Sequence, residues 1–327
     1  MKEKVDGIEW EFEIDDGGNA IITRAPKSIS GDVRLPAKLK GASVTIIDEH
    51  AFDGCRELKS LVMSDNVEKC LAYFENCNAL ESITISAGMV EPEWRFANCK
   101  SLRTINVPKR NLAYKSVNDL LLSKGGETML LAPLGIVSAT IPKGVTKIGP
   151  HAFRECTKLK SVKMPDGVIT IDRCAFKGCS ELESITIPNS VRYIEQGASE
   201  GCRKLKTVTI PASVKKVGRF PFWDSSIENA IFMPGVKVIR PIFSVCTLGS
   251  VTIPDSVTRI NQGAFYDCKG LTSVTIPKKV KVIGDGVEGG AFSDCTDLKS
   301  VTLPATLKAK GIGRNAFPKG VKFNWVK

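Results

Sequence analysis

Histidine is nearly missing from this 327-residue chain, which has only His50 and His151. Each stands two residues before a phenylalanine, and the two are far apart along the chain. A shared metal site or a histidine-driven catalytic centre is therefore disfavoured. Long apolar runs are missing too; none approaches the roughly 18 residues that a membrane span needs. The opening Met-Lys-Glu-Lys-Val-Asp-Gly has no apolar signal core, so no export signal is read from it. No run of five or more Lys/Arg occurs, although 46 basic against 35 acidic residues leave a net charge of +11. That surplus would favour acidic partners, yet its scatter reads as a solvated repeat surface and argues against nucleic acid. Among eleven cysteines there is no Cys-x-x-Cys, so close zinc-type spacing is missing. Gly284-Asp285-Gly286 follows no strand–helix unit and does not read as a phosphate loop. The acidic pair Glu91 and Glu93 has no nucleophile–base pattern beside it. No segment has the length and polar face of a full amphipathic helix.

What is present is a repeat of mostly 22 or 23 residues. One copy reads Phe153, Cys156, Leu159, Val162, Met164, Pro165, Val168, Ile171, Ala175; the next starts at Phe176 with Cys179, Leu182, Ile185, Ile187 and Pro188. About eleven such units follow one another, beginning at Phe52, Phe74, Phe96, Phe153, Phe176, Ser199, Phe222, Phe243, Phe265, Phe292 and Phe317. Leu-x-x-Val-x-Ile puts apolar residues two apart, the period of a strand with one face buried. Proline then ends that short strand, because it cannot donate to a ladder. Val-x-x-Ile and Ala-Phe supply more inward anchors from a turn-rich or 3₁₀-like return. A single unit buries little, whereas stacked units share a continuous apolar column. The expected fold is a leucine-rich-repeat solenoid, a right-handed superhelix with one short parallel strand per unit. At about 4.8 Å per rung its strands would form one curved sheet roughly 50 Å long.

Two segments interrupt the pattern. Ile8 to Arg24 alternates around Asp15-Asp16-Gly17-Gly18 and reads as a hairpin cap for the first rung. Asn111 to Pro133 reads as a second hairpin, turning at Lys124-Gly125-Gly126, either a contact loop or a cap. The expected organisation is a single domain: cap over 1–24, first repeat block over 25–108, insertion over 109–135, second block and terminal strand over 136–327.

The phrase Leu271-Thr-Ser-Val-Thr-Ile-Pro277, with Ala264-Phe-x-x-Cys268, resembles the BspA-like leucine-rich repeats, and the resemblance runs over nearly the whole chain. It implies a bacterial surface or secreted protein that adheres to host proteins or other cells, and it specifies no ligand. An intracellular protein-interaction scaffold is the alternative, favoured by the missing export signal and the many thiols.

Nine cysteines share one repeat column, from Cys55 to Cys295, while Cys70 sits in a return-anchor column and Cys174 two residues before Phe176. Small buried thiols are a normal core filling, and parallel side-chain vectors suit disulfide torsions poorly. The informative surface is the strand column facing away from the core. It carries Val62, Thr84, Lys163, Thr186, Thr209, Phe232, Thr252 and Thr275, with a Ser/Thr column beside it from Ser60 to Ser300. Lys160 and Lys206 flank this face. Thr suits any exposed strand, so most of these hydroxyls need no ligand to explain them. Phe220-Pro221-Phe222-Trp223, followed by Phe232 in a unit where Ser225 replaces Cys, is the clearest departure. If Phe232 and Trp223 are exposed together they form an aromatic anchor; otherwise their rings fill a core gap. The expected role is non-catalytic binding of a protein or an anionic glycan. No cofactor and no membrane insertion are expected, and the expected state is a monomer.

Overall fold

The computed structural model describes residues 1–92, 96, 98–284, 290–308 and 311–327. Glu93, Asp285 and Gly286 lie outside the described residues. The chain forms two compact units, Met1–Ile136 and Val137–Lys327. Both are β-solenoids of parallel strands with almost no helix.

In the first unit, Lys2–Val5, Ile8–Ile14 and Ala20–Arg24 form an antiparallel cap, and Ala20–Arg24 then pairs in parallel with Ala42–Ile47. The cap has one strand more than the alternation around Asp15 suggests. The front strands are Ser30–Arg34, Glu57–Val62, Ser82–Thr84 and Thr104–Asn106, paired in parallel in that order. The insertion holds the expected hairpin, Leu120–Ser123 with Thr128–Leu131, and adds Tyr114–Val117 as a third strand. It is anchored by the buried Asn111, whose amide donates to the carbonyls of Ser86 at 3.0 Å and Met89 at 2.9 Å. Its oxygen accepts from the N–H groups of Ala113 and Tyr114. All its polar capacity is used internally.

In the second unit each coil up to Ile283 runs from the turn, through the front strand, to a two-residue return strand. The front strands Ser138–Thr140, Ser161–Lys163, Ser184–Thr186, Thr207–Ile210, Asn229–Phe232 and Ser250–Thr252 make one ladder. Ser273–Thr275, Ser300–Pro304 and Lys322–Val326 make another. The single curved sheet expected from the repeat is thus divided. Among the described residues, 3₁₀ geometry is confined to Ala305–Leu307.

The core columns follow the repeat. Leu182, Leu205 and Leu271 are fully buried. Phenylalanines of successive coils stack, with centroids 5.0 Å apart for Phe153 and Phe176, and 4.8 Å for Phe265 and Phe292. Such offset stacks add to the apolar area each ring removes from water.

The cysteine column has a second job beyond filling space. The thiol of Cys179 donates to the Phe153 carbonyl one coil earlier at 3.1 Å, and Cys77, Cys99, Cys202, Cys268 and Cys295 repeat the arrangement. Four of these six carbonyls, those of Phe52, Phe74, Phe153 and Phe176, also accept a turn N–H, so there the thiol meets a second lone pair and satisfies its own buried S–H. The residue just before each column cysteine, and before Ser225, has φ between 51° and 76°. Glycine, Asn and Asp fill most of these places because they tolerate left-handed backbone. Val245 is the β-branched exception, at φ 58°. None of the eleven cysteines forms a disulfide, and ten are buried. Burial pushes the thiols of Cys55, Cys70 and Cys202 up to about 12.

Candidate functional site

The front ladder of the second unit presents three parallel rows, each set by the period of two along a strand. The first is Ser138, Ser161, Ser184, Thr207, Asn229 and Ser250, aligned coil by coil. The Ser250 hydroxyl donates to Asn229 Oδ1 at 2.7 Å. The second row holds Thr140 opposite Lys163, then Thr186 opposite Thr209, Ile231 and Thr252. Lys163, Thr186, Ile231 and Thr252 are exposed, and Thr209 is half-buried.

Ile231 is where the structure corrects the sequence reading. The repeat spacing puts Phe232 in this outward row, but it pairs with Ile210 and is 6% exposed, whereas Ile231 is 45% exposed. The cause is a displaced proline. Counting back from Pro234 by the usual interval lands one residue too far along, because Met233 occupies the place that Pro211 holds in the coil before. A slip of one residue exchanges the two faces of a strand. Phe232 packs edge-on against Phe243 at 5.8 Å. It is core.

Trp223 is exposed, but it lies on the turn leading to Ser225, beside Arg203 and Asp224. Among the described residues no ring contact joins it to Phe232, so the aromatic anchor expected from these two does not form. Thr275 belongs to the second ladder, opposite Thr302.

The third row alternates in charge, which the lysine column alone does not signal. The backbone N–H of Lys160 donates to the Val137 carbonyl, Glu183 to Lys160, Glu228 to Lys206, and Gly249 to Glu228. With Ser184 opposite Thr207, the row reads Lys160, Glu183, Lys206, Glu228. Lys206 is ion-paired with Glu228. The first unit repeats the alternation as Lys59, Glu81 and Arg103. The lysine flank is therefore compensated by carboxylates, which only the coil-to-coil register reveals. The signal in the sequence was Glu at the same repeat position, one unit over.

The remaining candidates resolve differently. Lys124 donates its ammonium to the Lys109 and Asn111 carbonyls, which ties the Lys124-Gly125-Gly126 turn down. His50 bonds Asp53 at 2.7 Å, and that bond raises its pKa above the ordinary value. His151 shifts the other way because burial disfavours its charged form, helped by Arg154 and Arg173. Among the described residues no three His, Cys, Asp or Glu gather as a metal cluster. Nor is any helix there long and apolar enough to cross a membrane.

Stacked coils, a thiol column and a broad polar strand face define a leucine-rich-repeat protein, a class built on an extended surface. The chain matches the BspA type leucine-rich repeat region over residues 37–119, 133–242 and 240–324, and it belongs to that family. Its fold is similar to the pneumococcal vaccine antigen PcpA, at 14% identity and a TM-score of 0.52, covering 100% of this chain and 99% of that one. A leucine-rich repeat protein from Bacteroides ovatus is 24% identical with a TM-score of 0.46, covering 99% of this chain and 100% of that one. A search of curated proteins gives no match.

Proposed function

We propose that this protein is a surface-exposed or secreted recognition module that binds a protein partner through the front face of its second unit. The observation that carries the reading is Ile231, a large apolar side chain standing out of a hydroxyl row. A ring of polar contacts around a desolvated apolar anchor is the composition of an interface hot spot. The alternating Lys160, Glu183, Lys206 and Glu228 row suits a partner with charges of both signs, and it argues against a uniformly anionic glycan at this face. Membership of the BspA type family supports a role in adhesion and a place at the cell surface. The thiols do not favour the intracellular scaffold: buried groups that donate to carbonyls need no reducing compartment to persist.

The test is binding of the purified chain to a panel of immobilised extracellular matrix and bacterial surface proteins. A specific partner whose binding falls at least about tenfold on Ile231→Glu, with Lys163→Glu weakening it less, is the expected result. Binding unchanged by both substitutions would move the interface off this face.

A further inference from the structure

The return side of the second unit breaks at one place. Return strands Lys147–Ile148, Thr170–Ile171, Tyr193–Ile194 and Lys216–Val217 pair in sequence, and Val238–Ile239, Arg259–Ile260 and Val282–Ile283 pair in sequence, but Lys216–Val217 does not pair with Val238–Ile239. The backbone N–H of Lys215 donates to the Arg192 carbonyl and that of Thr258 to Lys237, while no such bond joins Lys237 to Lys215. On the front side the same two coils are joined through four residues, Thr207–Ile210 against Asn229–Phe232. These two coils are therefore wedge-shaped, held together in front and parted behind. Phe232 stands at a place filled by Ile210 one coil earlier, and Met233 takes the proline's place, so this parting falls at the irregular coil.

The parting opens a cleft of about 470 Å³, inside the roughly 300–1,000 Å³ of small-ligand sites. Every ionisable side chain lining it is basic: Arg192, Lys215, Lys237 and Arg240. Among the described residues none of the four makes an ion pair, and Arg192 and Arg240 donate only to the carbonyls of Asn189 and Val238. Ser213 also lines the cleft, and its buried hydroxyl oxygen has no hydrogen-bond partner among the described residues. Uncompensated cations, an unsatisfied hydroxyl and an open strand edge with free N–H and C=O groups leave polar groups here that an anionic, hydroxyl-bearing ligand can meet.

We infer that this cleft binds an anionic oligosaccharide, a chain of sulfated or carboxylated sugars, at a site separate from the front face. The cations come from three successive coils, and because two of these are parted they span more than the roughly 10 Å of paired strands. That spacing suits repeated charges along a polymer better than one compact anion. Sugar hydroxyls and sulfates can use Ser213 and the free strand edge. A single-stranded nucleic acid would need stacking platforms, and the sole aromatic ring lining the cleft is the buried Phe232.

The experiment is calorimetric titration of the full chain with a size-defined heparin hexasaccharide near physiological salt. The expected result is saturable binding that falls at least about tenfold in the double variant Lys215→Glu/Lys237→Glu, and severalfold in Ser213→Ala at unchanged charge. The charge-matched pair Lys278→Glu/Lys279→Glu, two exposed lysines outside the cleft, should bind as the parent does. Thermal melts of all variants report whether the fold is retained. Absence of binding overturns the inference, as does equal weakening by the charge-matched pair. Inorganic sulfate competing at the hexasaccharide's own concentration would make the site one for a lone anion. Equal binding of a single-stranded oligonucleotide, lost in the cleft variant, would reassign it to nucleic acid. Neither outcome touches the front-face reading, which the Ile231 and Lys163 substitutions test separately.

Discussion

The hydroxyl of Ser225 donates to the carbonyl of Ser199 at 2.7 Å, as the thiol of Cys202 donates to the carbonyl of Phe176 one coil earlier. The one coil between Phe153 and Phe292 that lacks the column cysteine therefore keeps its hydrogen bond. Ser225 Oγ also accepts from the Cys202 N–H at 3.2 Å. Replacement of Cys by Ser here conserves the polar contact and changes only the donor atom.

Ser225→Ala leaves two buried backbone groups without partners, which costs about 1–3 kcal/mol each when nothing else relaxes to meet them. Ser225→Cys restores the donor and is expected to stay within about 1 kcal/mol of the parent. Urea denaturation midpoints compare the two. An alanine variant as stable as the parent would show that the column bond carries no weight.

Phe232 and Ile231 make opposite predictions from adjacent positions. Phe232→Ala opens a cavity against Phe243 and should destabilise by about 3–5 kcal/mol. Ile231→Ala removes an exposed side chain and should move stability by no more than about 0.5 kcal/mol. If the larger loss came from Ile231, the strand would be turned over.

Thiol chemistry gives a count. Ten cysteines are buried and Cys174 alone is partly exposed, so an aromatic disulfide reagent should titrate at most one thiol in the folded chain. In strong denaturant it should titrate all eleven. Rapid reaction of several thiols under native conditions would contradict the closed column.

Val245 holds a left-handed backbone that β-branched residues rarely adopt, at φ 58°. Strain of this kind costs of order 1–3 kcal/mol. Val245→Asn or Val245→Gly should raise the melting midpoint, because both residues enter that region more easily. A fall in the midpoint with Asn would mean that the valine side chain contributes packing that outweighs the strain.

The repeat made most of the architecture legible. A column such as Leu159, Leu182 and Leu205 points inward in every coil because the same spacing recurs with the same neighbours, and the hairpin cap and the insertion stood out by breaking that spacing. The candidate face was legible as Thr186, Thr209 and Thr252, but its anchor was misplaced. The repeat was aligned at Pro234, the residue that had moved.

What the linear order determined by itself was which residues occupy equivalent places in successive coils, since a stacked fold copies its spacing directly into the chain. What it left open was anything decided between coils. Whether Ile231 or Phe232 faces water turns on pairing with Ile210, because a strand inverts its faces with each residue. That Glu183 sits between Lys160 and Lys206, and that the return strands part beside Arg240, follow from how one coil rests on the next. Those contacts lie more than twenty residues apart in sequence, and packing energy across that gap, with no local preference to signal it, selects them.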